Sequence, residues 1–238
     1  MKTSLVLSGG PGHDFDATTA ALGELSHQVG FTSRVVTEPS ELFAALHCAE
    51  RGDTVPWDLV IVNALRWRME TGRYADQRDR LGFDLGCADA AALARHVSGG
   101  GGLLVLHTGV ICFDAEPTWH RLVGASWNWD RSSHPPVAEV AVTVTEAGRH
   151  HALTAGVESF RVRDEVYGLL DTVEDLVPLL SATHSGREHP LLWAREFGEG
   201  RVVTDVLGHG TDSLAQPAHR TILSRALSWS CRAAPDGS

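Results

Sequence analysis

GGGGLLVLHTG, residues 99–109, is the stretch that decides the fold of this chain. Four glycines lead into a short aliphatic strand, which ends abruptly on a polar His-Thr-Gly turn. Ligands of open α/β sheets bind just beyond the carboxyl ends of the strands, so His107 stands where chemistry usually takes place. Many α/β enzymes carry a Ser or Cys nucleophile on such a turn, whereas this turn offers an imidazole and a hydroxyl. The stretch therefore predicts an enzyme-like scaffold without the usual acyl-transfer nucleophile.

Apolar runs and helical spacings alternate along the first half of the chain, which predicts a doubly wound parallel sheet. The predicted strands there cover residues 5–7, 34–37, 58–63 and 103–106, and the helices cover 17–29, 40–50 (capped by Ser40) and 87–97. Further on, strands are predicted over 137–145, 160–162, 176–180, 191–194 and 202–206, and helices over 117–123 and 217–231, before a frayed tail at 233–238. Repeats and linkers are not evident, so one domain is predicted over residues 1–238.

Composition excludes several classes of partner. The formal net charge of −10 and the scattered basic residues argue against nucleic acid, because phosphate binding needs clustered Lys and Arg. The apolar runs are too short for a signal peptide or for the roughly 20 residues of a membrane helix, so a cytoplasmic protein is expected. Four widely spaced cysteines fit a reducing compartment. Cys112, close after the His-Thr-Gly turn at 107–109 (the elbow), has apolar neighbours and is interpreted as a buried, inert thiol.

A polar, Arg-rich segment at residues 66–84 interrupts the strand–helix alternation. It is interpreted either as a loop over the site or as a surface insertion, with Arg66 and the other arginines solvated. Trp67 and Met69 have no obvious core to join in this segment, which makes a homo-oligomer an expectation.

Histidines follow several strand ends or turns, and their convergence is the main functional signal. His13, His107 and His209 sit in loops that open on one edge of a parallel sheet, and His134 precedes a proline. Glu165 and Tyr167 lie two residues apart on an extended segment and therefore face the same side. Together they can hold a sugar hydroxyl or serve as a base and its orienting group. The alternative is that Glu165 pairs with a surface arginine while Tyr167 packs at the core margin.

No cofactor is predicted from the motifs. The loop at residues 8–12, SGGPG, lacks the GxGxxG order, and its proline removes an N–H that a phosphate would use, so neither NAD nor ATP is expected. Three histidines and Glu165 could supply ligands for zinc or another divalent ion. Because no HxH or HExxH spacing is present, the metal is left as an open alternative.

The chain resembles the ThuA-like (trehalose-utilisation) family over nearly its whole length. The motifs that carry the resemblance are GHD at 12–14, HTG at 107–109, HRLVG at 120–124, HP at 134–135, DEVY at 164–167, GEGRV at 198–202, LGH at 207–209, RTIL at 220–223 and ALSW at 226–229. The resemblance implies a flavodoxin-like three-layer sandwich with a mainly parallel sheet, as in class I glutamine amidotransferases. It also implies a role in carbohydrate metabolism beside dehydrogenases that oxidise glucosides to 3-keto sugars. Many relatives carry a second glycine where this chain has Thr108, so its hydroxyl is expected to narrow the pocket.

The leading functional hypothesis is an enzyme that acts on a 3-keto glycoside or related sugar by acid/base chemistry, without amidotransferase activity because the elbow lacks cysteine. The predicted catalytic residues are His107, Glu165 and His209. The predicted substrate-binding residues are His13, Asp14, Thr108, Trp119, His120, His134 and Tyr167, with Trp127 and Trp129 as further stacking surfaces. Two alternatives remain open: a non-catalytic sugar- or metabolite-binding partner of a sugar dehydrogenase, and a metal-assisted hydrolase.

Overall fold

The computed structural model describes residues 1–231. The predicted frayed tail at 233–238 lies outside the described residues. No helix within residues 1–231 is long and apolar enough to cross a membrane.

Five parallel strands form the half of the sheet that organises the site. They are β1 (Lys2–Gly9), β2 (Phe31–Val36), β3 (Leu59–Ala64), β4 (Gly102–Leu106) and β11 (Gly200–Asp205). Their order in the sheet is β2-β1-β3-β4-β11, and every neighbouring pair is parallel. This is the strand order of flavodoxin-like proteins, in which ligands bind at the carboxyl edge. The predicted parallel sheet is confirmed.

Four more strands extend the same sheet with antiparallel pairing, in the order β10-β9-β6-β7 beyond β11. They are β6 (Ala138–Val144), β7 (Phe160–Asp164), β9 (Pro178–His184) and β10 (Arg187–Phe197). Exposed and buried residues alternate along β6 from Glu139 onward, as expected of a strand with one wet face. A separate two-stranded ribbon joins β5 (Ala125–Ser126) to β8 (Asp171–Thr172).

Helices cover both faces of the sheet and complete the predicted three-layer sandwich. They are α1 (Phe15–Gln28), α2 (Pro39–Glu50), α3 (Arg78–Leu81), α4 (Cys87–Ser98), α5 (Pro117–Val123), α6 (Glu146–His150), α7 (Thr211–Ala215) and α8 (Pro217–Ser230). Helices α1, α7 and α8 pack together on one face, whereas α2, α4 and α5 pack on the other. Between these layers β3 and β4 are buried along their whole lengths, which is why their sequences are continuous apolar runs.

Two local predictions on the first half need correction. Ser40 does not cap the second helix: α2 begins at Pro39, and the N-cap residue is Glu38, which makes no side-chain capping bond. Proline fits the first helical position because its fixed φ suits the helix and its missing N–H would have no partner there. Strand β2 begins at Phe31, three residues before the predicted start, because Phe31 packs into the core at the strand's amino end.

The Arg-rich segment at 66–84 is anchored more deeply than predicted. Arg66 is buried, and its guanidinium donates to the carbonyl oxygen of Thr37 at 2.8 Å. Trp67 and Met69 are also buried and belong to the main hydrophobic core. The interpretation of Arg66 as solvated is therefore wrong. Since Trp67 and Met69 already have a core to join, they no longer indicate an oligomer.

The elbow requires glycine at position 109 because the backbone there lies against two neighbouring strands. A Cβ atom on Gly109 would lie 2.7 Å from Val105 Cγ1 and 2.8 Å from the carbonyl oxygen of Val62. We expect Gly109→Ala to lower the free energy of unfolding by roughly 1–3 kcal/mol, the usual cost of overpacking a core. Urea denaturation of the purified variant measures this change.

Gly23→Ala is the matched control for that substitution. Gly23 lies within α1, and a Cβ atom placed there meets no atom within 4 Å. Alanine should raise the free energy of unfolding by up to about 1 kcal/mol, because it favours the helix over glycine. Equal effects of the two substitutions would contradict the steric argument for the elbow.

Candidate active site

His107 is held in a strained conformation at the end of β4. Its φ is +48°, a left-handed value that costs energy in any residue other than glycine, and such strain clusters at functional sites. The buried ring has Nδ1 2.9 Å from the carbonyl oxygen of Val206. Because a carbonyl can only accept, Nδ1 carries the proton and Nε2 keeps its lone pair. The Tyr167 hydroxyl lies 3.0 Å from that Nε2 and donates to it.

Four of the predicted site residues converge on one point at the carboxyl edge of the sheet. His13 follows β1, His107 follows β4, Glu165 follows β7 and His209 comes shortly after β11. The ring centroids of the three histidines are 4.7–5.3 Å apart. One nitrogen or oxygen atom from each of the four side chains lies within 4.8 Å of the others.

Asp164 brings Glu165 to this point, and sequence reasoning assigned it no role. Strand β7 lies four places from β11 in the sheet order, so strand pairing alone does not bring the two together. The buried carboxylate of Asp164 accepts from the backbone N–H groups of Gly208 at 2.7 Å and His209 at 3.3 Å. It also accepts from the N–H of Glu165 at 2.8 Å. Its place in the DEVY motif was the available signal.

Glu165 pairs with histidines and not with a surface arginine. Its Oε1 lies 3.1 Å from His134 Nδ1, and its Oε2 lies 3.4 Å from His209 Nδ1 and 3.6 Å from His107 Nε2. Burial raises the pKa of the Glu165 carboxyl, although the nearby charges of His134 and His209 oppose that rise. The carboxyl group therefore sits in an environment that suits proton transfer.

Burial favours the neutral form of His107 and His13. It lowers the pKa of His107 to about 3 and also lowers the pKa of His13, with His209 contributing in the same direction. Burial raises the pKa of Tyr167 well above its usual value and that of Cys112 to about 12. The Cys112 thiol is free, and its predicted burial is confirmed; a raised pKa fits the interpretation of this thiol as unreactive.

A cavity of about 350 Å³ opens onto this cluster. His13, Thr108, His134 and Tyr167 line it together with a set of mostly aromatic and polar side chains: Trp67, Arg73, Tyr74, Gln77, Trp127 and Trp129. The Arg-rich segment thus contributes part of the wall, which the sequence offered as one of two interpretations. Arg73, Tyr74 and Gln77 were missed as individual residues, because a polar loop gives no sign of which side chains face inward.

Three predicted substrate-binding residues do not line this cavity. Trp119 is buried in the core, where its ring meets Phe113 edge-on at 5.1 Å, so the prediction that it stacks on a sugar is wrong. Within α5 it is buried together with Leu122 and Val123. His120 lines a separate shallow depression with Arg121 and Asp171. Asp14 caps α1 by accepting from the N–H of Ala17 at 3.0 Å.

Thr108 and the loop after β1 behave as structural supports as well as cavity lining. The Thr108 hydroxyl donates to the carbonyl oxygen of Ala64 at 2.8 Å, which fixes the side chain beside the cavity. Gly10 has a φ of +137°, and a Cβ atom there would collide with the Leu65 carbonyl. Close approach of two backbones explains this glycine-rich loop without a phosphate.

A buried ion pair supports the loop that carries His209. His219 places Nε2 2.9 Å from Asp205 Oδ2 and Nδ1 2.9 Å from the Ser213 carbonyl oxygen. Burial opposes the charge on His219, but the charge and hydrogen bond of Asp205 raise its pKa overall. The other oxygen of Asp205 accepts from the N–H of Leu207, two residues before His209.

The fold and this cluster define the class: a flavodoxin-like α/β protein with a histidine–carboxylate site at the carboxyl edge of its sheet. A family model described as ThuA, trehalose utilisation, matches residues 4–230. The chain therefore belongs to the ThuA family, which indicates a role in trehalose or sugar utilisation. A comparison with curated protein sequences finds no significant match.

Solved structures show the same fold at low sequence identity. A ThuA-like protein from Parabacteroides merdae ATCC 43184 superposes with a TM-score of 0.74 and 18% identity, covering 97% of this chain and 89% of that one. A ThuA-like protein from Bacteroides uniformis ATCC 8492 gives 0.67 and 16%, covering 96% and 91%. A cold-adapted β-galactosidase from Rahnella sp. R3 gives 0.60 and 12%, covering 95% of this chain and 31% of that one.

The His219–Asp205 pair predicts a specific pH dependence of stability. A histidine whose pKa is raised by folding stabilises the protein fully below its unfolded pKa of about 6.5, and this stabilisation is lost as the pH rises through the folded value. We expect His219→Gln to cost about 3 kcal/mol at pH 6, because it leaves Asp205 without its buried partner. The free energy difference between wild type and variant should shrink at pH 9, as measured by urea denaturation. A difference that is constant with pH would contradict a charged His219.

Proposed function

We propose that the protein is a sugar-processing enzyme that removes a proton from the carbon beside the keto group of an oxidised glycoside. Family membership supports the sugar, and one observation carries the chemistry. A buried carboxylate, Glu165, holds a cavity-lining imidazole, His134, at 3.1 Å within a cavity lined largely by aromatic rings.

The cavity suits a sugar in size and in character. Its volume of about 350 Å³ falls in the range of small-molecule sites. Indole rings such as those of Trp127 and Trp129 can pack against the apolar C–H face of a pyranose. Arg73 and Gln77, from the same lining, offer hydrogen bonds to hydroxyl groups.

The Glu165–His134 pair is the base in this proposal. His134 Nδ1 lies 3.1 Å from both Glu165 Oε1 and the Pro135 carbonyl oxygen, so it carries the proton and donates it. Nε2 is then the nitrogen that can accept a proton from the substrate. We assign the base to this pair in place of Glu165 or His107 alone, because the Nε2 lone pair of His107 already accepts from Tyr167.

The reaction balances without an external reagent. A 3-keto group acidifies the C2–H bond, the proton moves to His134 Nε2, and the electron pair moves onto the keto oxygen as an enolate. When the enolate collapses, the keto C=O bond forms again, a C1=C2 bond forms and the C1–O bond breaks; the departing oxygen takes the proton back from His134 Nε2, which releases the glycosidic substituent as an alcohol. Return of a proton to the other face of C2 gives the epimer instead. In this proposal His209 stabilises the enolate oxygen together with Tyr167, whose hydroxyl would turn from His107 Nε2 toward that oxygen.

His134→Ala and Glu165→Gln should each lower kcat roughly 10²–10⁴-fold, the usual contribution of a positioned base. His150→Ala is the matched control, because His150 is exposed and contacts only Glu146 among the side chains of the structure described here. Proton NMR with a 3-keto-glucoside in D₂O follows the loss of the C2 proton and the release of the aglycone. Unchanged turnover in Glu165→Gln would refute the assignment. Tight binding without any turnover by the wild type would favour a binding partner of a sugar dehydrogenase.

Trp127→Ala should raise the KM for that substrate about tenfold and leave kcat nearly unchanged. Loss of one aromatic stacking surface costs on the order of 1 kcal/mol, and 1.4 kcal/mol corresponds to a factor of ten. Trp57→Ala removes an indole that lines a different cavity and serves as the control. Equal changes in the two variants would show that the effect is one of stability and not of binding.

A further inference from the structure

We infer that His13, His107, Glu165 and His209 form a binding site for one divalent transition-metal ion. The inference deepens the proposed function, because the ion would lie beside the sugar cavity. The metal-binding step itself stands on the geometry of these four side chains and not on the identity of the substrate.

The four donor atoms lie near the spacing that ligands of one ion have. One atom from each residue lies within 4.8 Å of the others. Bonds of about 2.0–2.2 Å from nitrogen or carboxylate oxygen to an ion place cis ligands roughly 3 Å apart and trans ligands roughly 4 Å apart. Glu165 Oε2 already lies 3.4 Å from His209 Nδ1 and 3.6 Å from His107 Nε2. Atoms that are 4.8 Å apart would have to move closer together by about 1 Å to bind the same ion.

Unpartnered nitrogens provide an independent observation. His13 Nε2 and His209 Nδ1 are buried, and neither has a hydrogen-bond partner within residues 1–231. His209 Nδ1 does lie 3.4 Å from Glu165 Oε2, a separation that is long for a hydrogen bond. A buried polar atom without a partner normally costs free energy, and each such group calls for an explanation. A metal ion would satisfy both nitrogens at once.

Supporting contacts fix the ligands as metal sites usually do. The second ring nitrogen of His107 donates to the Val206 carbonyl, which leaves Nε2 as the ligand atom; an ion bound there would displace the hydrogen bond that Nε2 accepts from the Tyr167 hydroxyl. His13 Nδ1 lies 3.4 Å from the Pro11 carbonyl oxygen, which directs Nε2 inward. Glu165 uses Oε2 toward the cluster and Oε1 toward His134. Metal ligands typically have outer-shell partners of this kind.

The donor set favours a borderline ion such as Zn²⁺, Co²⁺, Mn²⁺ or Fe²⁺ over Ca²⁺ or Mg²⁺. Three imidazoles suit first-row transition metals, whereas Ca²⁺ and Mg²⁺ prefer oxygen ligands. Four protein ligands leave coordination positions for a fifth or sixth ligand in an octahedral shell. His13 is the one of these four residues that lines the sugar cavity, so a keto oxygen would reach the ion from the side of His13. The ion would act there as a Lewis acid on the enolate oxygen.

Cobalt titration tests the site directly. The full-length protein is stripped with a chelator, dialysed and titrated with Co²⁺, with visible absorption and elemental analysis as the readouts. We expect one equivalent per chain, a ligand-field spectrum typical of nitrogen coordination and a rise in melting temperature that saturates at that stoichiometry. His13→Ala and His209→Ala should weaken Co²⁺ binding roughly 100-fold or more, beyond the usual effect of losing an outer-shell partner.

Two control variants keep metal binding and turnover separable. His134→Ala should bind Co²⁺ with its full stoichiometry although it loses turnover, and His150→Ala should keep both. Circular dichroism checks that each variant is folded.

Less than about a tenth of an equivalent of Co²⁺, Zn²⁺ or Mn²⁺ on the wild type, or normal binding in both ligand variants, would overturn the metal site. Turnover by the stripped protein would overturn the Lewis-acid role and keep the proposed enzyme. A metal-loaded protein without turnover would refute the proposed enzyme and keep the metal site.

Discussion

The buried carboxylate of Asp164 is the interaction on which the arrangement of the site depends. A carboxylate removed from water is costly unless hydrogen bonds replace its hydration. Backbone N–H groups from Glu165, Gly208 and His209 supply those bonds from two separate loops. Because separating the two loops would leave the buried carboxylate without these hydrogen bonds, Asp164 holds the loops together. Strand pairing leaves β7 and β11 four places apart, so this one side chain accomplishes what the sheet does not.

Backbone strain at the elbow serves the same site. A left-handed φ at His107 is unfavourable, and it persists because the surrounding core leaves the turn no room to relax. Gly109 allows the next turn to press against β3 and β4, while the ring of His107 is held by the Val206 carbonyl. This strained backbone conformation of His107 thereby places Nε2 of its ring next to Tyr167 and the histidine cluster. Rigid placement of this kind reduces the reorganisation needed when a ligand binds.

The sequence predicted the parallel half of the fold well because its signals are local. Continuous apolar runs and glycine turns report burial and strand ends directly, which is why the convergence of the loops carrying His13, His107 and His209 could be expected. Contacts between distant segments leave no such mark. Trp67 looked exposed because its neighbours in the chain are polar, and Trp119 looked available because nothing local shows which way α5 faces. The approach of Glu165 also depends on a long-range contact, although its DEVY motif drew attention to it.

The burial of the cluster explains why its side chains would favour a cation. The burial that lowers the pKa of His13 and His107 removes positive charge that would otherwise repel an incoming ion. It also preserves imidazole lone pairs, which an imidazolium would lack. Glu165 adds a carboxylate whose own burial is unfavourable without a positive partner. A cation at the centre would relieve that penalty and use the lone pairs in one step. Burial of the cluster would therefore favour the proposed ion, and His13 connects the cluster to the aromatic cavity.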